Sequence, residues 1–195
     1  MNNLIALGVF SALSLNLLIQ MGIGIRDFNE EPYRPFRFVF FLCFSLFASV
    51  MALWCLFTYI FTPLSLGFFE YFLFFPLIAA LGRFWKFLFA RLFPRGYSEE
   101  RFFSMSGVHN ALVTSALLVT IRLAGSFSGA LALVLGFSLG FLAALFILRA
   151  ILDRFSGEIV PPLLCGIPLL LISLGLLALI FSSLSVIILR LLKLS

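Results

Sequence analysis

The strongest constraint on this chain is its apolar stretches, several of which run for about twenty residues or more without a charged side chain. A helix of that length crosses the hydrocarbon core of a bilayer, whereas the strands of a membrane barrel alternate apolar and polar residues. Of the 195 residues, 63% are hydrophobic and 11% are charged, too few charges for the surface of a soluble domain. Such high hydrophobicity also excludes a disordered chain. The sequence therefore predicts an all-α polytopic membrane protein.

Six apolar stretches are separated by proline, glycine and charged residues. They predict transmembrane helices at Leu4–Ile25, Phe38–Phe61, Leu66–Leu81, Val108–Leu123, Ala130–Leu152 and Leu163–Leu189. The third has an amphipathic continuation to Phe93, and the fourth is short and rich in small or polar residues. We expect one membrane domain over residues 1–195, with two halves of about 1–93 and 101–195.

The basic residues are distributed unevenly between the two sides of the predicted bundle. One side carries ten of them: Arg26, Arg34, Arg37, Arg83, Lys86, Arg91, Arg95, Arg101, Arg149 and Arg154. The other side carries three, at Arg122, Arg190 and Lys193. Cytoplasmic loops are enriched in Lys and Arg, so the ten-base side is predicted to face the cytoplasm and both termini the outer side. The net charge of +5 is thereby explained by membrane orientation, and no nucleic-acid partner is expected.

Few polar residues lie inside the predicted spans. Asn16 and Gln20 are four residues apart and share one face of the first helix, and His109 and Asn110 begin the short fourth span. His109 is the only histidine, and imidazole is the side chain suited to proton transfer near neutral pH. Polar residues in membrane helices mark functional sites or form hydrogen bonds that hold helices together. Both interpretations stay open for these four residues.

Two predicted helices are interrupted or unusually short, and their positions indicate an internal repeat. Gly22 and Gly24 close the first span just before Arg26, and the fourth span is unusually short. Interrupted segments at matching places in two halves are typical of inverted repeats with a ligand site near the bilayer midplane. We therefore predict half-helices in the first and fourth spans. The predicted midplane polar site consists of Asn16, Gln20, Gly24, His109 and Asn110.

The sequence contains no recognisable catalytic or metal-binding motif. It has no phosphate-binding glycine loop, no nucleophile elbow and no zinc-protease motif, and the loops are too short to build a separate active site. Cys43, Cys55 and Cys165 occur singly, each within or beside an apolar stretch. Isolated buried cysteines usually act as small hydrophobic residues. No catalytic residue and no metal ligand is predicted.

The last third of the chain resembles a known family. The stretch 149–161 (RAILDRFSGEIVP), followed by PLLCG and IPLLLISLG up to Gly175, is similar to the RnfA/NqrE family of membrane subunits of Rnf/Nqr electron-transport complexes. Gly136-Phe-Ser-Leu-Gly140 looks like the family's fifth helix. Near the start, Asn16 and the Gly24-Ile25 pair match the family's pattern. The sister RnfE/NqrD subunits are inserted the opposite way round, so the predicted outward termini favour RnfA/NqrE.

This resemblance implies a fold, a location and a role. Family members form two inverted three-helix repeats, each with a half-helix, in the bacterial inner membrane. Pairs of subunits share a [2Fe–2S] cluster at the midplane, and each subunit supplies two cysteines. The assembled complex moves electrons between ferredoxin or NADH and its partner, coupled to ion translocation. A homologous RnfE/NqrD-like subunit and other Rnf/Nqr-like subunits are the partners that the resemblance implies.

The chain departs from the family at the cluster ligands. The two ligand positions fall on Arg26 and Asn110, and none of the three cysteines matches either position. Iron–sulfur clusters require thiolates, whereas arginine offers no acceptor and an asparagine amide is a poor ligand. The chain is therefore expected to hold no cofactor of its own.

Two functions follow, and both stay open on the sequence. The first is a cluster-free, structural subunit of an Rnf/Nqr-like complex. The alternative is a small ion or solute transporter or channel that has been repurposed on the same inverted-repeat fold. In that case the polar residues of the midplane site line the path, and Arg26 adds a positive charge suited to an anion.

Overall fold

The computed structural model describes residues 2–16, 36–64, 70–92, 99–155 and 167–191. These residues form helices and short connections, and no strand occurs among them, which confirms the all-α prediction. The helices are α1 (Asn2–Leu13), α2 (Phe36–Leu56), α3 (Glu70–Leu92), α4 (Glu99–Leu123), α5 (Phe127–Phe155) and α6 (Ile167–Leu191).

Four of these helices are long and apolar enough to cross a membrane. The qualifying segments are Val39–Phe61, Phe72–Leu92, Phe127–Ile151 and Pro168–Leu191. The remaining two helices contain shorter apolar segments, Leu4–Leu13 and His109–Leu123. A membrane protein is thus supported by the lengths of the described helices.

The third helix is longer than its apolar stretch. The described part of the predicted span Leu66–Leu81 is helical from Glu70, and the helix continues to Leu92, as the amphipathic continuation indicated. Arg83, Lys86 and Arg91 therefore lie on α3 itself, not in the connection to which the sequence assigned them. Hydropathy shows only which part of a segment is apolar. The backbone hydrogen bonds of a helix can continue through the polar residues that follow that part.

The structure describes the two predicted half-helices to different extents. The described part of the first span is a helix that ends at Leu13 and is followed by a turn and Asn16, well before the predicted end at Ile25. In the fourth span the apolar segment is short, as predicted, and covers His109–Leu123. It belongs to a helix, α4, that is continuous from Glu99 to Leu123 and begins before Val108. Its apolar part is short, yet the preceding polar residues continue the same helix.

Local sequence explains several helix boundaries and irregularities. The hydroxyl oxygen of Ser126 accepts a hydrogen bond of 3.2 Å from the backbone N–H of Gly129, so Ser126 caps the start of α5. Only residues 124–126 separate α4 from α5. Pro76 lies inside α3, where it cannot donate the usual backbone bond to the carbonyl four residues earlier. The end of α2 widens into a π-helical turn over Phe57–Phe61.

The closest helix crossing joins α1 to α5. A Cβ atom at Gly136 would overlap the Gly8 backbone and the Ser11 hydroxyl, and one at Gly140 would overlap the Ala12 backbone. Small residues four positions apart on each helix therefore let the two backbones meet. Membrane helices use this spacing for tight packing, because lipid provides no hydrophobic force to drive helices together.

The hydrophobic core lies mainly between α2, α4 and α5. Its largest fully buried side chains include Phe137 and Phe141 on α5, Leu46 on α2 and Leu112 on α4. Helix α3 is joined to α2 by a buried hydrogen bond of 2.7 Å, in which Trp85 Nε1 donates to the hydroxyl of Ser49. Helix α1 packs against α5 and α6.

Helices α3 and α6 form the apolar exterior of the described bundle. Large hydrophobic side chains on both helices are more than half exposed, including Phe72, Phe75 and Phe87 on α3 and Leu176 and Leu179 on α6. Aliphatic and aromatic surface of this extent suits a lipid environment or a second membrane subunit.

Candidate functional site

Asn16 lies where the described part of α1 ends, and it is 1% exposed. Its side-chain Nδ2 donates two hydrogen bonds, one of 3.0 Å to the carbonyl of Ala12 and one of 2.7 Å to the carbonyl of Gly140. The amide thus links α1 to α5 directly beside their closest crossing. Its Oδ1 is buried and has no hydrogen-bond partner among the described residues.

A hydrogen bond between two serine side chains also joins the end of α1 to α6. The hydroxyl of Ser14 donates a hydrogen bond of 2.7 Å to that of Ser185, which is fully buried. Asn16 and Ser14 therefore fasten the end of α1 to two different helices of the second half of the chain. The two bonds that Asn16 Nδ2 donates favour the helix-packing interpretation for this nitrogen. The Oδ1 atom takes no part in this packing among the described residues.

His109 is buried in α4 and is 5% exposed. The side chain of Asn110 and the backbone of Ser45 on α2 lie near its ring. Neither Nδ1 nor Nε2 has a hydrogen-bond partner of good geometry within the described part of the chain. A buried polar atom without a partner costs free energy, and the cost is higher where water is absent. The imidazole therefore faces polar groups that are close to it but not paired with it.

Asn110 is pressed against α3 at Gly82. A Cβ atom at Gly82 would lie 2.6 Å from Asn110 Oδ1, so a larger residue at this position would force the amide to move. Asn110 Oδ1 is buried and, like the ring nitrogens of His109, has no hydrogen-bond partner in the described ranges. One turn later, the hydroxyl of Thr114 donates a hydrogen bond of 2.7 Å to the backbone carbonyl of Asn110.

Three of the five residues of the predicted midplane site are described, namely Asn16, His109 and Asn110. His109 and Asn110 lie together between α2 and α3, whereas the partners of Asn16 lie on α1 and α5. Gln20 and Gly24, as well as Arg26, lie outside the described residues.

Sequence reasoning missed Ser45 and Gly82, which line the His109–Asn110 cluster. A glycine within an apolar helix is a signal of close approach by another helix, and Gly82 could have been found in that way. Ser45 carried no comparable signal, because it acts through its backbone and its hydroxyl donates to the carbonyl of Leu42 on its own helix.

The polar groups at and around Asn16, His109 and Asn110 are amides, hydroxyls, backbone carbonyls and one imidazole. Cys43 is buried and Cys55 half-buried on α2, and Cys165 lies outside the described residues. The described ranges contain no group of three His, Cys, Asp or Glu side chains that could hold a metal ion. The chemistry available at His109 and Asn110 is hydrogen bonding and proton exchange.

No protein-family model matches the chain, and no curated protein matches it.

Proposed function

We propose that this chain is an integral membrane subunit built from two inverted three-helix repeats, α1–α3 and α4–α6. The observation that carries the proposal is the set of helix contacts. In the proposed repeat, α1 corresponds to α4, α2 to α5 and α3 to α6. The observed α1–α5 contact then corresponds to the observed contact of α4 with α2, and the α1–α6 contact corresponds to that of α4 with α3. The α2–α3 contact becomes α5–α6, and the α2–α5 contact maps onto itself.

One contact departs from this relation. Helices α4 and α5 touch across the short connection of residues 124–126, whereas the described parts of α1 and α2 have no comparable contact. The exchange otherwise relates every substantial contact between the six helices, as expected for two halves related by a pseudo-two-fold axis.

Within this fold we propose the role of a cluster-free, structural subunit of an Rnf/Nqr-like electron-transport complex coupled to ion translocation. The inverted-repeat contact scheme and the resemblance of residues 149–175 to the RnfA/NqrE family support this role. The apolar exterior of α3 and α6 offers surface for the bilayer and for a homologous RnfE/NqrD-like subunit. The proposed location is the bacterial inner membrane, with both termini on the outer side.

The residues at the family's cluster positions do not fit a [2Fe–2S] cluster. Asn110 presents an amide against the backbone of Gly82, and the other position is Arg26. The cysteines described, Cys43 and Cys55, both belong to α2, whereas the family takes one ligand from each repeat. We therefore propose no electron-transfer step through a cluster held by this chain.

Gentle purification of the full chain from native membranes tests the proposed role. We expect Rnf/Nqr-like subunits to co-purify with it, and the isolated chain to contain iron far below one atom per molecule. Stoichiometric iron in the isolated chain would contradict the cluster-free assignment. Purification without any subunit of this type would contradict membership of such a complex.

A second candidate is an ion or solute transporter on the same fold. Its supporting observation is a set of buried polar atoms that have no hydrogen-bond partner among the described residues, namely Asn16 Oδ1, Asn110 Oδ1, both ring nitrogens of His109 and Ser138 Oγ. Flux into liposomes should then fall at least tenfold in His109→Ala. The matched control is Thr114→Val, which removes a hydroxyl one turn away without touching the ring. Absence of flux for every ion tested would rule the candidate out.

A further inference from the structure

An exposed arginine lies at the centre of a segment that is long and apolar enough to cross a membrane. The segment is Phe72–Leu92 on α3, and Arg83 follows its middle residue, Gly82. Arg83 is exposed, and no acidic side chain among the described residues pairs with it. Charged side chains within membrane segments are rare, and they almost always face a protein interior or a water-filled cavity. The exposed position of Arg83 therefore requires a partner outside the described bundle.

Contacts between α2 and α3 give the depth of Arg83 independently. The rings of Phe57 and Phe74 lie 5.6 Å apart near one end of the two helices. Those of Phe41 and Phe89 lie 5.2 Å apart near the other end. The two helices are therefore antiparallel, and residues between these two pairs lie at intermediate depths.

The hydrogen bond between Trp85 and Ser49 lies between the two aromatic pairs. Ser49 is close to the middle of Val39–Phe61, the apolar segment that includes most of α2. Arg83 precedes Trp85 by two residues, which is about 3 Å along the helix axis. Arg83 is therefore near mid-depth by the segment of α2 as well as by its own.

The lipid headgroups are too far away to neutralise this charge. Long basic side chains near helix ends extend to the membrane surface, and Arg91 on the last turn of α3 is placed to do so. Arg83 lies about 14 Å along the helix axis from Leu92, at the end of the segment. A charge at this depth is accommodated by pairing with another charged group inside the membrane.

The exposed surface around Arg83 is shaped to receive another helix. Phe72, Pro76, Ala80, Arg83 and Phe87 are all exposed and follow one another at spacings of three or four residues, so they form one stripe, the Arg83 face. Ala80 lies less than one turn from Arg83, and a small residue there lets a neighbouring helix approach closely. The larger phenylalanine side chains lie towards the two ends of the stripe.

A second copy of the chain does not supply the opposite charge at this depth. Among the described residues, the acidic ones lie at the starts of α3 and α4 and in the last turn of α5, namely Glu70, Glu99, Glu100 and Asp153. The other acidic residues of the sequence lie between the predicted spans, at Asp27, Glu30, Glu31 and Glu158. The opposite charge is therefore expected from a different protein.

We propose that the Arg83 face binds a transmembrane helix of a different membrane protein, and that an Asp or Glu side chain of this helix pairs with the Arg83 guanidinium. The planar guanidinium presents parallel N–H donors that match the two oxygens of a carboxylate. The inference goes beyond the proposed subunit role, because it names one helix face and the chemistry of its partner. It rests on the membrane location of the bundle and not on the Rnf/Nqr-like assignment.

Site-specific photocrosslinking of the full chain in native membranes tests the proposed contact. The photoreactive residue p-benzoylphenylalanine replaces Phe87, which is 65% exposed and lies about one turn from Arg83. Mass spectrometry should then locate the crosslink in a transmembrane helix of another protein, within about one turn of an Asp or Glu. The control is the same replacement at Leu179, which is exposed near the middle of its segment on α6 and should not capture that helix.

Several outcomes of the crosslinking would overturn the proposal. These are adducts to lipid alone, to a second copy of the chain or to a helix without a carboxylate, and capture of the same helix from Leu179. The identity of the captured protein keeps the two proposals separate. A helix from a protein unrelated to Rnf/Nqr-like subunits would support this inference and contradict the proposed role. Co-purification of Rnf/Nqr-like subunits without a protein crosslink from Phe87 would do the reverse.

Charge exchange then tests the ion pair. Arg83→Glu should lower the amount of the captured protein that co-purifies by about tenfold or more, and Arg83→Gln should lower it less. Changing the partner's carboxylate residue to arginine should restore co-purification with Arg83→Glu, since the pair is then reversed. The matched control is Arg91→Glu near the end of α3, which should have little effect. Unchanged co-purification with Arg83→Glu, or a loss that charge exchange does not restore, would overturn the pairing.

Discussion

The side-chain amide of Asn16 donates a hydrogen bond of 2.7 Å to the backbone carbonyl of Gly140, joining two residues that are 124 positions apart in the chain. The bond is buried and lies beside the Gly140–Ala12 backbone contact. It therefore ties the first helix of one half of the protein to the central helix of the other.

Asn16→Ala should destabilise the protein by about 1 kcal/mol, since interhelical hydrogen bonds in membranes contribute modestly. Reversible unfolding in mixed micelles measures the change. The control is Ser115→Ala, because the Ser115 hydroxyl bonds only within its own helix, to the carbonyl of Ala111. Equal changes in the free energy of unfolding for the two substitutions would mean that the α1–α5 hydrogen bond contributes no more to stability than a bond within one helix.

Gly140→Ala should destabilise the protein by about 1 to 3 kcal/mol, because the added methyl group must push α1 and α5 apart. Gly175→Ala is the matched control, since nothing lies within 4 Å of a Cβ atom at that position on α6. Unfolding midpoints of the two variants give the comparison. A Gly140→Ala protein as stable as Gly175→Ala would show that the crossing is looser than described.

The Trp85–Ser49 bond is expected to show a coupling energy of about 1 kcal/mol in a double-mutant cycle of Trp85→Phe and Ser49→Ala. The hydrogen bond is buried between α2 and α3, so losing either partner removes the same interaction. Free energies of unfolding of the two single variants and the double variant provide the test. Additive effects would indicate that the two side chains act independently.

Reporter fusions test the orientation predicted from the basic residues. An alkaline phosphatase domain should be active when joined to either terminus, since both termini are expected on the outer side of the inner membrane. A green fluorescent protein joined at the same places should stay dark when exported through the general secretory route. Reporters that place either terminus in the cytoplasm would contradict the proposed orientation.

Much of the fold was predictable, because apolar length and helix formation go together in a bilayer. The ends of α2, α5 and α6 lie within a few residues of the predicted ends once the π-helical turn to Phe61 is counted with α2. The end of α3 and the start of α4 were less predictable. Hydropathy locates the apolar part of a helix, and Glu99 begins α4 well outside that part.

Partners of the polar residues could not be predicted to the same degree. The sequence singled out Asn16, His109 and Asn110, since polar groups are rare in apolar stretches. It could not pair Asn16 with Gly140 or Asn110 with Gly82, because those contacts depend on how distant helices cross. The Trp85–Ser49 bond escaped notice for the same reason.

The α1–α5 crossing has a consequence for how the protein is made. Gly8 and Ala12 reach their binding surface only after the ribosome has delivered Gly136 and Gly140. Until then the first helix, whose described part has only twelve residues, lacks the neighbour that holds it. Helix α1 therefore gains its contact with α5 only after α5 has been synthesised, and a chain stopped after α4 lacks that contact.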